Sequence, residues 1–236
     1  MKIEFIPTSQ FAADVLEPPV PAKTVLPEWY KKTPFLTNNN SSYNFSETGV
    51  LPTTIKGCNP FLDGLTSGYI SLLSVDVEIK KEGEKRFSFF WRTDNEVITS
   101  HTKDQHPFTP AAFNGDDSIF KFFNEFIIRT PKGYSTYFTH PINRHDLPFR
   151  TFSGVVDTDT YMNSVQFPAQ LLDMDSNIMV LKKGTPICQF FPFKRVNWES
   201  NVLKYDESFI KKARHNYFSR IYRAYKSLHW KRKTYK

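Results

Sequence analysis

A mainly β fold is predicted by three features of the chain. Val75, Val77 and Ile79 alternate with Asp76, Glu78 and Lys80, the period-2 pattern of a strand with one buried face. Glycine is scarce at 9 and proline plentiful at 16, which suits short strands broken by prolines better than long helices. The stretch 149–193 reads as strand, acidic turn, strand, tight turn, strand. In it, β-branched Val155 and Val156 follow Gly154, a residue able to take backbone angles closed to others. Asp157 and Asp159 bracket a turn whose short carboxylates can bond nearby backbone N–H groups. Lys183-Gly184 reads as a hairpin turn between two apolar runs.

Residues 1–64 precede this region as an arm without regular structure. Glu17-Pro18-Pro19-Val20-Pro21 favours polyproline geometry, and Pro27 suits the first turn of a short helix carrying Trp29 and Tyr30. A partner-binding Pro-rich motif is the other reading of this arm. The β domain spans 65–198. Tyr69 to Ile79 and Phe87 to Trp91 are expected strands around a turn at 82–84. Residues 101–118 are an expected loop, Phe120 to Arg129 one buried strand, and Tyr134 to Thr139 another. The last segment, 199–236, differs. Asp206 can cap a helix in which Ile210, Ala213, Tyr217, Ile221, Tyr225 and Leu228 form one apolar stripe. The expectation is an amphipathic helix of about five turns.

The formal charge of +7 is unevenly spread. Residues 211–236 hold ten Lys or Arg and no Asp or Glu, so the preceding residues carry 21 bases against 24 acids, a net of −3. The basicity belongs to the end of the chain. Arg220, Arg223, Lys226, Lys231, Arg232 and Lys233, interleaved with aromatic residues including Trp230, suit phosphate neutralisation and base stacking. The same helix could instead dock on a protein partner through its apolar stripe, or lie on an acidic membrane surface. Cys58 and Cys188 offer no disulfide framework. The start Met1-Lys2-Ile3-Glu4-Phe5 lacks a signal peptide's apolar block, and no run reaches the ~18 apolar residues of a membrane span. The cytoplasm is therefore the expected compartment.

Metal ligation is not expected. His101 and His106 flank Asp104, and His140 lies near His145 and Asp146, without the spacing that sets two ligands on one ion.

The motif Gly154-Val155-Val156-Asp157-Thr158-Asp159, with Tyr161 after it, resembles a hairpin of dUTPases and dCTP deaminases. Gly184-Thr185-Pro186-Ile187-Cys188-Gln189 resembles the strand that follows it in that superfamily. The resemblance covers roughly 65–195 and implies a dUTPase-like β-clip, a distorted barrel, with a pyrimidine nucleotide as ligand and a homotrimer as assembly. It implies Asp157 as the base that activates water, which a carboxylate can do at about 3 Å. It implies Gly154 and Asp159 in the substrate-reading turn, Tyr161 against the sugar and Gln189 towards the phosphates, with Mg2+ arriving on the nucleotide and no other cofactor.

Departures mark the site as eroded or re-purposed. Tyr161 falls one position late and is followed by Met162-Asn163, and Arg129 to Ser135 lacks the family's paired serines. Gln166 to Gln170 contains no carboxylate for deamination, and no Gly-rich lid closes the chain. The chain also resembles a family of phage and bacterial proteins with a Pro-x-Trp arm, which implies a bacterial or phage-infected cell, with a virion as the other location. Two functions follow as expectations. One is a protein that binds or hydrolyses a pyrimidine nucleotide, a pyrophosphohydrolase if it is an enzyme. The other is a non-catalytic structural or interaction protein, a phage assembly or host-binding factor docking through its C-terminal helix.

Overall fold

The structure is a computed structural model that describes residues 1–37, 53–82, 86–100, 119–172, 176–218 and 224–236. In chain order the elements open with β1 (Glu4–Pro7), α1 (Gln10–Val15), β2 (Val20–Pro21), α2 (Glu28–Lys32) and α3 (Asn59–Thr66). Strands β3 (Tyr69–Leu72), β4 (Val77–Glu82), β5 (Arg86–Phe90), β6 (Ile98–Ser100), β7 (Ile119–Phe122), β8 (Phe126–Arg129) and β9 (Tyr134–Thr139) follow. Then come β10 (Phe149–Thr151), β11 (Gly154–Val156), β12 (Phe167–Leu171), β13 (Ile178–Leu181) and β14 (Pro186–Lys194). Two helices, α4 (Glu207–Phe218) and α5 (Ala224–Leu228), end the chain. The fold is mainly β, as the alternation predicts.

Two compact units are formed. The first comprises Met1–Val25 and Gly68–Arg195. Its strands make antiparallel sheets in the orders β1-β8, β10-β12-β7-β6, β11-β9-β14-β3-β2 and β13-β4-β5. Among the described residues these sheets do not close into a barrel. The first residues of the expected arm are regular: Glu4 to Pro7 pair with Arg129 to Phe126, and Ser9 caps α1 by accepting from the Ala12 N–H. Short segments without long-range periodicity give no sequence sign of such pairing.

The core is a lattice of phenylalanines. Phe120 meets Phe122 edge-on at 4.9 Å, Phe122 meets Phe149 at 5.0 Å, and Phe89 lies 5.1 Å from Phe120. Phe120, Phe122, Phe149, Phe167 and Phe190 are fully buried. Edge-to-face contact suits the ring quadrupole and adds to the area term. In β4, Val77 and Ile79 are buried while Glu78 and Lys80 are exposed, and the β4–β5 hairpin pairs Glu82 with Arg86.

Three expectations are corrected by the pairing. The run Phe120 to Arg129 is two strands, because buried Asn124 breaks it. The Asn124 amide donates to the carbonyls of Phe126 and Val165 and its oxygen accepts from the Phe126 N–H, bonds that replace a sheet ladder locally. The acidic turn after Gly154 is not a hairpin: β11 pairs with β9, whereas β12 pairs with β10 and β7. Lys183-Gly184 is not a hairpin turn either. Its Thr185 N–H closes on the Lys182 carbonyl at 3.0 Å with Gly184 at φ 85°, but β13 pairs with β4 and β14 with β3 and β9. Both turns hand the chain from one sheet to another.

The second unit comprises Leu26–Ser67 and Val196–Lys236. Pro27 precedes α2 as expected, and buried Tyr30 stacks on Phe61 of α3 at 6.1 Å. Asp206 caps α4 by accepting from the Phe209 N–H at 3.1 Å. The expected five-turn helix is described as α4 and α5, with residues 219–223 outside the described residues.

Candidate functional site

Three strand ends meet beside the acidic turn. In the register of their sheet, Val156 of β11 faces Thr136 of β9, and Tyr134 of β9 faces Lys194 of β14. The turn following β11, the turn preceding β9 and the residue following β14 are therefore neighbours. Within the acidic turn the Thr160 and Tyr161 N–H groups both donate to the Asp157 carbonyl, at 3.0 and 2.9 Å. Thr158 points inward, where its hydroxyl lies 2.8 Å from that of Thr130 and 2.7 Å from that of Thr136. This hydroxyl cluster satisfies three buried polar groups at once and fixes which way Asp157 and Asp159 face.

The two carboxylates share one cation. Arg195 donates to Asp159 through both terminal nitrogens, Nη1 to Oδ1 at 2.9 Å and Nη2 to Oδ2 at 2.5 Å, and lies 3.0 Å from Asp157 Oδ1 through Nη1. The Ser135 hydroxyl donates to Asp157 Oδ1 at 2.6 Å and the Gly133 N–H to Asp159 Oδ2 at 2.8 Å. Arg195 also reaches the Tyr134 carbonyl at 3.1 Å, and its own N–H binds the Gly133 carbonyl at 2.9 Å. The Asp159 side chain is 2% exposed and that of Asp157 62%. The Arg195 guanidinium and then the Gly133 N–H hold the Asp159 carboxyl at about 2, below the usual carboxylate range. Asp159 is thus a structural anion, paired with the cation that fixes the last residue of the β unit.

Asp157 retains one oxygen, Oδ2, without a hydrogen bond to a described residue. Its charge is nevertheless partly compensated by Arg195, and the Asp157–Arg195–Asp159 cluster carries a net charge of −1. Like charge repels a phosphate, and the guanidinium is already spent on two carboxylates.

The other sequence-predicted residues are placed as follows. Gly154 sits on the exposed edge of its sheet, and a methyl group there would meet nothing within 4 Å. It has no positive φ, so glycine's freedom is not what this position uses. Tyr161 is exposed at the turn's exit. Gln189 is buried in β14, where its Oε1 accepts from the Ile142 N–H at 2.8 Å. It lies six residues before Arg195, about 20 Å along an extended strand. Gln189 therefore holds the loop after β9 and does not join the acidic cluster. Arg195 and Ser135 are the members that sequence reading misses, since neither lies in a local motif and only the antiparallel register brings them to the turn.

At the C-terminus, the Trp230 indole N–H donates to both oxygens of Asp63 on α3, at 3.2 and 3.0 Å. Lys233 pairs with Asp63 Oδ2 at 2.5 Å. The Nζ atoms of Lys226 and Lys233 lie 6.0 and 5.9 Å from the Trp230 ring centre. Trp230 and Lys233 are thereby engaged within the second unit, while Lys231 and Arg232 are exposed. Arg220 and Arg223 lie outside the described residues, as do His101, Asp104 and His106.

Both nitrogens of His140 are occupied: Nδ1 accepts from the Thr151 N–H at 3.3 Å and Nε2 lies 3.0 Å from the Arg144 carbonyl. Asp146 is held by Arg144 at 2.8 Å. Among the described residues no group of three metal-ligating side chains is gathered, and no helix is long and apolar enough to cross a membrane.

No protein-family model matches the chain, and no curated protein matches it. Among solved structures, similarity is found to a mutant dUTPase of Staphylococcus bacteriophage 80alpha with dUpNHpp, at 12% identity over 60% of this chain and 78% of that one. The TM-score is 0.30, a level of superposition that does not define a shared fold.

Proposed function

We propose that this chain is a non-catalytic interaction protein in which a β unit carries an exposed C-terminal binding segment. One observation supports the reading above the others. Between β14 and α4 the chain has no secondary structure, yet Trp198 is 89% exposed, Val202 96%, Leu203 80%, Tyr205 79% and, in the first turn of α4, Phe209 67%. Single exposed apolar residues are ordinary on a monomer, and five large ones between positions 198 and 209 support a segment that meets something. The acidic turn supports the same reading from the other side, because its carboxylates bind the chain's own arginine.

A second reading, binding of a pyrimidine nucleotide, has one feature in its favour: Asp157 keeps Oδ2 without a hydrogen bond to a described residue, in the turn that also carries exposed Tyr161. The two readings separate in a paired experiment on the full chain. With dUTP or dCTP and magnesium, no pyrophosphate release is expected. An apolar fluorescent dye is expected to bind the full chain and to lose most of its signal with Trp198→Ser, Val202→Ser and Leu203→Ser combined. Pyrophosphate release abolished by Asp157→Ala would install the nucleotide reading instead, and dye binding indifferent to the triple change would remove the surface reading.

A further inference from the structure

The exposed segment carries more than apolar surface. Residues 196–236 hold eleven Lys or Arg against three Asp or Glu, a net of +8, which leaves −1 on the other 195 residues. Lys211 pairs with Glu207 and Lys233 with Asp63, whereas Lys204, Lys212, Arg214, Lys226, Lys231 and Arg232 are exposed without an ion pair to a described residue. Rings and cations are interleaved. Tyr205 adjoins Lys204, and Phe209 precedes Lys212 by three residues, which puts both on one face of α4. Trp198, Tyr205 and Phe209 make no ring contact with a described residue and are open on the side that faces solvent.

From this we infer that residues 198–214 and 226–232 bind single-stranded nucleic acid without sequence preference. The cations lie along the phosphates, and the rings of Trp198, Tyr205 and Phe209 stack on bases. The inference rests on the reading of this segment as the binding surface and names its partner. Charge and aromatic content together select that partner. A second copy of the chain would bring another +8 to the same region and a body of only −1 to offset it. A duplex supplies phosphates but keeps its bases stacked on each other, so the exposed rings would gain nothing. A single strand offers both a phosphate row and open base faces.

The test is fluorescence anisotropy of a labelled oligothymidylate of about thirty nucleotides, long enough to exceed the usual single-strand site size, titrated with the full chain. Binding is expected to be tighter than to a duplex of equal length. It should also weaken as salt rises from roughly 50 to 200 mM, with a log–log slope set by the number of phosphates neutralised. Trp198→Ala, Tyr205→Ala and Phe209→Ala together should weaken it by at least about tenfold, since each stacked ring contributes separately. Lys212→Glu with Arg214→Glu should flatten the salt slope. All these side chains are exposed, so the variants should keep the wild-type circular dichroism and thermal midpoint.

A flat titration at low salt overturns the inference, and so does binding that ignores the ring substitutions or prefers the duplex. If the titration is flat while the apolar dye still distinguishes wild type from the serine variant, the surface reading survives without nucleic acid. Light scattering that shows a dimer lost on the ring substitutions would then assign the surface to a second copy.

Discussion

Arg195 holds two carboxylates with one guanidinium, and the covered one sets an acid limit on the β unit. Asp159 titrates at about 2 against an ordinary value of about 3.9. Its folded value lies below its unfolded value, so its contribution is complete above about pH 4 and is lost as pH falls towards 2. Asp159→Asn should lower the thermal midpoint at neutral pH and remove that part of the acid dependence, which unfolding curves between pH 2 and 5 would read. Arg195→Met should destabilise more than Asp159→Asn, because it leaves a covered carboxylate without its cation. The reverse order would show that Arg195 is peripheral. His140 responds in a different range. Burial pushes its ring below the ordinary value, and the Nδ1 that accepts from Thr151 would have to carry a proton on acidification. Its contribution to stability should therefore begin to fall below about pH 6.5, where the unfolded ring takes up a proton first. An NMR titration of the His140 C2 proton checks this, and a midpoint above the ordinary histidine value would refute it.

At the scale of the element, three glycines separate backbone need from local space. A methyl group at Gly68, which has φ 74°, would stand 2.2 Å from the Phe190 carbonyl oxygen. Gly68→Ala therefore combines a left-handed backbone, about 1–2 kcal/mol, with a clash against the sheet, and should unfold part of the population. Gly184→Ala has the same backbone demand at φ 85° but open space, so only the conformational cost of about 1–2 kcal/mol applies. Gly154→Ala should be close to neutral. Chemical denaturation should rank the variants in that order, and a large loss at Gly154 would show that its edge position is covered by something else. In the core, Phe120→Ala removes a ring that touches Phe89, Phe122 and Phe149 and should cost about 3–5 kcal/mol.

The same elements show where sequence reading stops. The alternation of Val75, Val77 and Ile79 with Asp76, Glu78 and Lys80 marks the buried face of β4, since a strand with one wet side leaves that mark in the residues themselves. The single strand expected from Tyr69 to Ile79 is nevertheless two, because the chain leaves the sheet at 73–76 between β3 and β4. The acidic turn and Lys183-Gly184 were legible as reversals but not as connections between sheets. Turn chemistry is local, whereas the choice of strand partner is made by the register of residues far apart. Gln189 illustrates the limit: the resemblance of 184–189 to a family strand points it towards a ligand, whereas its Oε1 accepts from the Ile142 N–H, a contact that no local motif announces. Arg195 was illegible for the converse reason, its partners lying 36 and 38 residues away in the chain.

For the whole molecule, the segment after β14 is strongly exposed to chemistry from outside among the described residues. Residues 196–206 are exposed and without secondary structure, the conditions for cleavage without global unfolding. Brief trypsin treatment should cut after Lys204 before any site in the sheets. Protection of Lys204 in the full chain at low concentration would contradict its exposure, while protection gained only with oligothymidylate would locate the bound strand.

The chain has four tryptophans, and two of them experience opposite surroundings. Trp230 hydrogen-bonds a carboxylate on α3, while Trp198 stands almost wholly in water. Excited indoles report that difference as colour. Trp198 should dominate the red edge of the emission spectrum and be the ring most accessible to a neutral quencher. Reading the emission of the unlabelled protein at that edge therefore gives an optical probe of residues 198–209, already placed by the sequence at their most exposed ring.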